Sequence, residues 1–519
     1  IGASIFASNI GSEHLIGLAG AGASSGMAMA HWEIQGWMIL ILGWVFVPFY
    51  SRSMVYTMPE FLERRYNPQS RTILSVISLV SYVLTKVAVT VYAGGLVFQQ
   101  VFGIKELWGI DFFWIAAIGL VVLTALYTIF GGMKSVLYTS VLQTPILLLG
   151  SLIILVLGFK ELGGWDEMMR VCGAVTVNDY GDTMTNLIRS NDDANFPWLG
   201  ALIGSAIIGF WYWCTDQFIV QRVLSGKNEK EARRGTIFGA YLKLLPVFLF
   251  LIPGMIAFAL HQKYIGAGGE GFLPMLANGT ANADAAFPTL VAKLLPAGVK
   301  GLVVCGILAA LMSSLASLFN SSAMLFTIDF YKRFRPETPE KKLVGIGQIA
   351  TVVIVILGIL WIPIMRSVGD VLYTYLQDVQ SVLAPGIAAA FLLGICWKRT
   401  SAQGGMWGLI AGMIIGLTRL GAKVYYSNAG EVADSTFKYL FYDMNWLFFC
   451  GWMFLFCIIV VIVVSLATEA PTAEKIQGLV FGTATKEQKA ATRASWDHWD
   501  IIHTVIILAI TGAFYWYFW

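Results

Sequence analysis

Runs of about 20 apolar residues, the length that crosses the roughly 30 Å hydrocarbon core of a bilayer, recur from one end of this chain to the other. They predict thirteen spans, near 1–28, 33–50, 71–102, 112–131, 134–159, 198–221, 236–260, 298–331, 343–365, 371–397, 403–421, 444–467 and 500–518. The longer connections, 160–197, 261–297, 422–443 and 468–499, are mixed and rich in Gly, Asp and Asn, and none reads as a soluble domain. The chain opens within what reads as a helix, so a further span is expected ahead of residue 1.

Two spans depart from a regular apolar pattern. In the first, Gly11, Ser12, Glu13 and His14 interrupt the segment soon after its start, with Asn9 and Glu33 inside or beside it. Charges in hydrocarbon cost roughly 2.5–3.5 kcal/mol each on insertion scales, and a broken helix survives at membrane depth only where it lines a protein cavity. Close packing of small residues accounts for Gly17, Ala21 and Ser25, but not for Glu13, His14 or Glu33. The second irregular span, NFPWLGALIGSAIIGFWYWCTDQFIVQR, carries glycines at 200, 204 and 209, then Trp211, Tyr212 and Trp213, then Asp216 and Gln217. An interfacial aromatic belt is one reading of those rings; their place in mid-span beside Asp216 favours a site.

The spacing of the two irregular spans predicts an architecture. Five spans run over 1–159 and five over 198–397, and an odd number per unit makes the second unit enter from the opposite side. That is an inverted repeat, with matching broken helices and a substrate site between them near the midplane. The expected organisation is a transport core over 1–397, with peripheral helices over 398–519.

Composition places the chain in the membrane: 57% of residues are hydrophobic and 13% charged, against about 25% charged in soluble proteins. A net charge of +3 points to no nucleic-acid partner. Six cysteines without a CxxC pair argue against a disulfide framework or a zinc site. Arginines and lysines gather at 64–71, 222–234, 332–342, 398–399 and 475–493, which assigns that side to the cytoplasm.

Polar residues within the spans carry the candidate chemistry. Lys243, in GAYLKLLPVF, is a positive charge well inside an apolar span; snorkelling to the interface is the alternative, but the polar ends lie far off. Gln377 opens the last core helix with Asp378 and Gln380 beside it, a cluster that faces either a site or solvent. Asn9, His14, Glu33, Lys243 and Gln377 together offer donors and acceptors without a net charge of one sign, and the rings at 211–213 offer flat apolar faces. Such a set suits a neutral polyol ring, whose hydroxyls donate and accept while its C–H faces stack. A carboxylate substrate would be better served by an uncompensated arginine or a bare helix N-terminus. No nucleophile, base and orienting residue converge on one motif, so an enzyme is not expected.

The eighth span, CGILAALMSSLASLFNSSAMLFTIDFY, is rich in hydroxyls at Ser313, Ser314, Ser317, Ser321 and Ser322. Small-residue packing is one reading. The other is a Na⁺ site, in which serine oxygens join carbonyls freed at the break in the first span, since a hard cation takes oxygen ligands. One ion moved through 100 mV supplies about 2.3 kcal/mol, enough for a roughly fifty-fold solute accumulation.

The stretches ASNIGSEH at 7–14, TMPEFLERR at 57–65, ALYTIFGG at 125–132, FWYWCTDQFIVQR at 210–222 and MSSLASLFNSSAMLFTIDFY at 312–331 resemble the sodium/glucose cotransporters of the solute:sodium symporter family, and the likeness runs through nearly the whole chain. The resemblance implies the LeuT-type five-plus-five inverted-repeat fold with flanking helices. It implies sodium-coupled import of a monosaccharide by alternating access in the plasma membrane, or the inner membrane of a bacterium. It carries sugar contacts onto Asn9, His14, Glu33, Tyr212, Trp213, Lys243 and Gln377. An outer gate falls on Leu18, Trp32 and Tyr373, with Tyr212 capping the sugar on the cytoplasmic side. A Na⁺ seat falls on the carbonyls of Ala7, Ile10 and Ala310 and the hydroxyls of Ser313 and Ser314. The implied partners are a monosaccharide, Na⁺ and the lipid bilayer, with a monomer sufficient for transport. Ser140 stands where many relatives carry an aspartate tied to a second sodium or to protons, which predicts one Na⁺ per sugar. Gly36 and Gly209 stand where the galactose transporter offers polar side chains. A myo-inositol carrier and a sugar-gated sensor without transport are the competing readings.

Overall fold

The computed structural model describes residues 1–519 except 12, 54–57, 225, 277–278, 369–370 and 430–432, and for 3, 4, 7, 8, 127–144, 217, 221, 317, 320 and 366–368 it describes the backbone alone. Hydrocarbon offers backbone groups no water partners, so spanning segments must close their hydrogen bonds internally. Accordingly the described residues are helical almost throughout, apart from one two-residue antiparallel pair, Glu106–Leu107 with Ile110–Asp111.

Eleven helical stretches among the described residues are long and apolar enough to cross a membrane. Residues 1–28 and 33–50 share one such stretch, Glu13–Ser53. Residues 112–131 and 134–159 share one helix, Phe112–Leu162. The backbone stays helical through 132 and 133, where the two expected spans meet; a glycine in a helix costs only about 1 kcal/mol against alanine.

Burial separates centre from edge. Leu372–Cys396 is 83% buried within the protein and Glu229–Gly266 is 78% buried, whereas His498–Tyr517 is 17% buried. The outward faces of the peripheral helices present Val344, Ile349 and Leu360, as lipid contact requires. At the centre, helix Ala19–Ser25 crosses helix Ile252–Gly266 at two glycines. A Cβ on Gly22 would collide with the Leu251 carbonyl, and one on Gly254 with the Ala19 carbonyl. Small residues let the two backbones touch.

Both irregular spans are broken. The opening helix Gly2–Asn9 stops at Ile10, whose backbone is extended (φ −85°, ψ 103°), and helical turns resume at Glu13. The helix from Trp198 runs through Thr215 and stops at Asp216, also extended (φ −76°, ψ 127°), before Gln217–Leu224 continues. A third interruption places Lys243. Helix Glu229–Leu242 ends just before it, because Pro246 lacks an N–H and its ring would strike the carbonyl four residues back.

Candidate functional site

The two breaks face a common cavity. Three wide, π-type turns deliver polar groups to it: Glu13–Leu18 brings His14, Tyr82–Val87 brings Lys86, and Phe210–Thr215 brings Tyr212 and Trp213. Such turns interrupt the regular helical ladder and collect at functional sites. The helix Leu372–Cys396 completes the wall with Tyr373, Gln377 and Gln380.

One wall is a connected polar network around Glu33, which is fully buried. Lys243 Nζ donates to Glu33 Oε2 at 2.7 Å, and the Tyr373 hydroxyl donates to Glu33 Oε1 at 2.6 Å. His14 Nε2 stands 3.4 Å from Glu33 Oε2 and 3.3 Å from Asn9 Nδ2. Lys243 also lies 5.5 Å above the Trp213 ring. The carboxylate and the ammonium neutralise one another, which a buried pair requires.

The opposite wall holds a second pair in looser contact. Lys86 Nζ is 3.7 Å from Asp216 Oδ2 and sits among the rings of Phe218, Tyr82 and Tyr212 at 4.3, 5.2 and 5.7 Å. Beyond Asp216 and Tyr82 lies a second cavity of about 450 Å³, reaching Met58 and Pro59 on the side that the basic clusters assign to the cytoplasm.

Four atoms of residues that line the first cavity are buried without a hydrogen-bond partner among the described residues: His14 Nδ1, Trp32 Nε1, Lys86 Nζ and Gln377 Oε1. Buried polar groups are nearly always paired, and each orphan costs about 1–3 kcal/mol. Donors and acceptors left open around one cavity are what a hydroxylated solute would satisfy.

Of the residues singled out from the sequence, Asn9, His14, Trp32, Tyr212, Trp213, Lys243, Tyr373 and Gln377 line this cavity. Glu33 lies one layer behind them, touching three of them. Leu18 is fully buried in the apolar core and is not among the lining residues. Ala7 and Ile10 stand at the first break, and Ala310, Ser313 and Ser314 stand within the helix Ala297–Met324. The side chain of Ser140 lies outside the described residues.

Four polar lining residues were not among the expected solute or gate residues: Glu13, Gln35, Lys86 and Gln380. Lys86 gave the same signal as Lys243, a charge within an apolar span, and Glu13 and Gln380 stood beside residues already chosen. Gln35 gave none. Its Nε2 donates to the Ser205 carbonyl at 2.8 Å, and a Cβ on Gly209 would come 2.5 Å from its Oε1. The glycine at 209 is the space that the Gln35 amide fills.

Residues 1–412 match the sodium:solute symporter family. Sodium/myo-inositol cotransporter 2 of Homo sapiens is 36% identical over 496 residues, covering 93% of this chain and 72% of that protein. Sodium/glucose cotransporter 1 of Ovis aries is 39% identical over 487 residues, covering 90% and 72%. The solved structure of a Na⁺-coupled sialic acid symporter, in a substrate-bound outward-open state, superposes with a TM-score of 0.65 at 22% identity, covering 91% of this chain and 90% of the other. That likeness establishes the LeuT-type inverted-repeat fold. With its broken helices and central cavity, the chain belongs to the sodium:solute symporter family: it is a multi-pass plasma-membrane transporter that couples Na⁺ to a solute, and not an enzyme.

Proposed function

We propose that the solute is a neutral polyhydroxylated ring, a monosaccharide of the glucose or galactose kind, imported with one Na⁺ by alternating access. The observation that carries this is the set of open donors and acceptors at His14, Trp32, Lys86 and Gln377 around one cavity. Each lysine at the cavity already faces a carboxylate, Lys243 with Glu33 and Lys86 with Asp216, so neither is left to hold an anionic solute. Trp213 and Tyr212 offer apolar faces to the C–H side of a ring. A cyclic polyol is the second reading, favoured by the relatives named sodium/myo-inositol cotransporters.

The proposed ion seat is the gap in the first span. The helical ladder ends with the Ile10 N–H on the Phe6 carbonyl and restarts with His14 and Leu15 on the Gly11 carbonyl. The carbonyls of Ala7 and Ile10 lie across that gap, where unwound backbone supplies oxygens for a hard cation. The carbonyl of Ala310 and the hydroxyls of Ser313 and Ser314 would complete the set. The solute groups and this ion seat share one broken helix, so an ion that fixes the break fixes Asn9 and His14 as well.

Tracer uptake into proteoliposomes tests the proposal. Glucose or galactose should accumulate only under an inward Na⁺ gradient, and myo-inositol should compete. Reversal potentials should report one charge per solute; two would exclude the single-ion stoichiometry. Binding without accumulation would indicate a sensor.

A further inference from the structure

We propose that Asp284 is a positioning residue for the solute site, acting from the outer side through the start of helix Leu372–Cys396. The proposal rests on the reading of Tyr373 and Glu33 as parts of that site. Val371, the residue before the helix, is extended (φ −124°, ψ 126°) and provides no side-chain cap, because an aliphatic side chain has no acceptor for the free N–H groups at a helix start. The cap comes from another element. Asp284 lies in the short turn Ala283–Ala285 that leads into helix Ala286–Leu294. Both of its carboxylate oxygens stand 3.2 Å from the Leu372 amide nitrogen. The side chain is 3% exposed, and its negative charge opposes the positive end of a 25-residue helix dipole.

The same carboxylate presses on the first repeat. A Cβ on Gly20 would come 2.5 Å from Asp284 Oδ1 and 3.0 Å from its Cα, so the turn rests directly on helix Ala19–Ser25, which continues the segment that carries His14. Asp284 thus touches both halves of the core on the side that the basic clusters leave to the exterior. Tyr373 follows Leu372, and its hydroxyl holds Glu33 Oε1; Gln377 follows one turn later. Fixing the Leu372 amide fixes the axial position of both. The docked turn is therefore a latch: while it holds, Tyr373 stays on Glu33 at the cavity wall.

Two readouts test this. In intact cells, with Cys305→Ser and Cys396→Ser as background, a Gln377→Cys probe is labelled from outside by a membrane-impermeant maleimide. Asp284→Ala should speed labelling about tenfold, the loss of one charge-assisted hydrogen bond, while Asp284→Asn, which keeps an acceptor, should stay within about threefold of the parent. Leu372→Pro removes the donor at a helix position that favours proline; it should reproduce the Asp284→Ala effect and add nothing to it. In proteoliposomes, Asp284→Ala should raise the KM for glucose or myo-inositol, and it should have no further effect in a Tyr373→Phe background. A labelling rate unchanged by Asp284→Ala and by Leu372→Pro, or KM effects that add independently, would overturn the latch. Failure of the wild type to take up either solute would remove the solute assignment and leave the labelling result to decide the latch. Should Asp284→Ala not reach the membrane, Leu372→Pro carries the same decision alone.

Discussion

Lys243 and Glu33 come from different repeats, 210 residues apart, and meet at 2.7 Å with both side chains buried. The contact fastens the segment after the first break to the kink at Pro246 and gives Tyr373 a fixed acceptor. Removing one partner of such a pair leaves an uncompensated buried charge, at about 3–5 kcal/mol, whereas replacing both by neutral groups costs far less. Glu33→Gln and Lys243→Met should each lower the thermal midpoint of the purified protein and abolish uptake. The double variant should recover most of the stability and none of the transport. A loss in the double variant equal to the sum of the two single losses would mean that the pair is not coupled.

Gln377 and Lys86 should separate solute recognition from stability. Both carry a buried polar atom without a hydrogen-bond partner among the described residues, so truncation removes a hydrogen bond that the solute would complete. Gln377→Ala and Lys86→Met should each raise the KM for the transported solute about tenfold, near 1.4 kcal/mol; Gln377→Ala should change melting little, whereas Lys86→Met should lower the midpoint by leaving buried Asp216 without its cation. Lys86→Met carries a second expectation. It frees Asp216, next to the rings and the inner cavity, so the loss of affinity should come with a change in maximal rate that Gln377→Ala does not show. Paired uptake kinetics and thermal melts on the two variants check this.

Much of the site was legible because a bilayer makes polar residues costly and therefore informative. Asn9, His14, Glu33 and Lys243 stand out in apolar spans, and the structure joins them in one network around Glu33. Break positions were legible for the same reason, at Gly11 to His14 and at Asp216. Two things were not. The role of Gln35 depends on Gly209 leaving room 174 residues later; no local pattern encodes that distance. The capping of Leu372 by Asp284 is likewise a contact between an external turn and a distant helix.

Sodium coupling should be severable at the serines of the eighth span without loss of the fold. Ser314 is partly buried on the helix Ala297–Met324. Loss of one neutral oxygen ligand should raise the Na⁺ concentration for half-maximal uptake several-fold, of the order of 1 kcal/mol. Ser314→Ala should leave the solute KM at saturating Na⁺ near the wild-type value. Replacing Na⁺ by choline should abolish accumulation in both proteins. A Ser314→Ala variant with wild-type Na⁺ dependence would remove this serine from the ion seat.

Gln35 and Gly209 compete for one volume, which makes them a handle on solute preference. A methyl group on Gly209 would meet Gln35 Oε1 at 2.5 Å and its Cδ at 3.1 Å, closer than real contacts allow. Gln35 could yield by turning away, but that breaks the bond from its Nε2 to the Ser205 carbonyl, at about 0.5–1.5 kcal/mol. Gly209→Ala should therefore weaken uptake more than its size suggests. Gln35→Ala added to it should restore packing while leaving the cavity one amide poorer. Gly209→Ser combined with Gln35→Ala moves the polar group from one repeat to the other across the same space. If the two positions read solute hydroxyls, that combination should change the ratio of galactose to glucose uptake rather than scale both equally. Competition assays of the four proteins, each against its own thermal melt, distinguish a changed preference from a general loss.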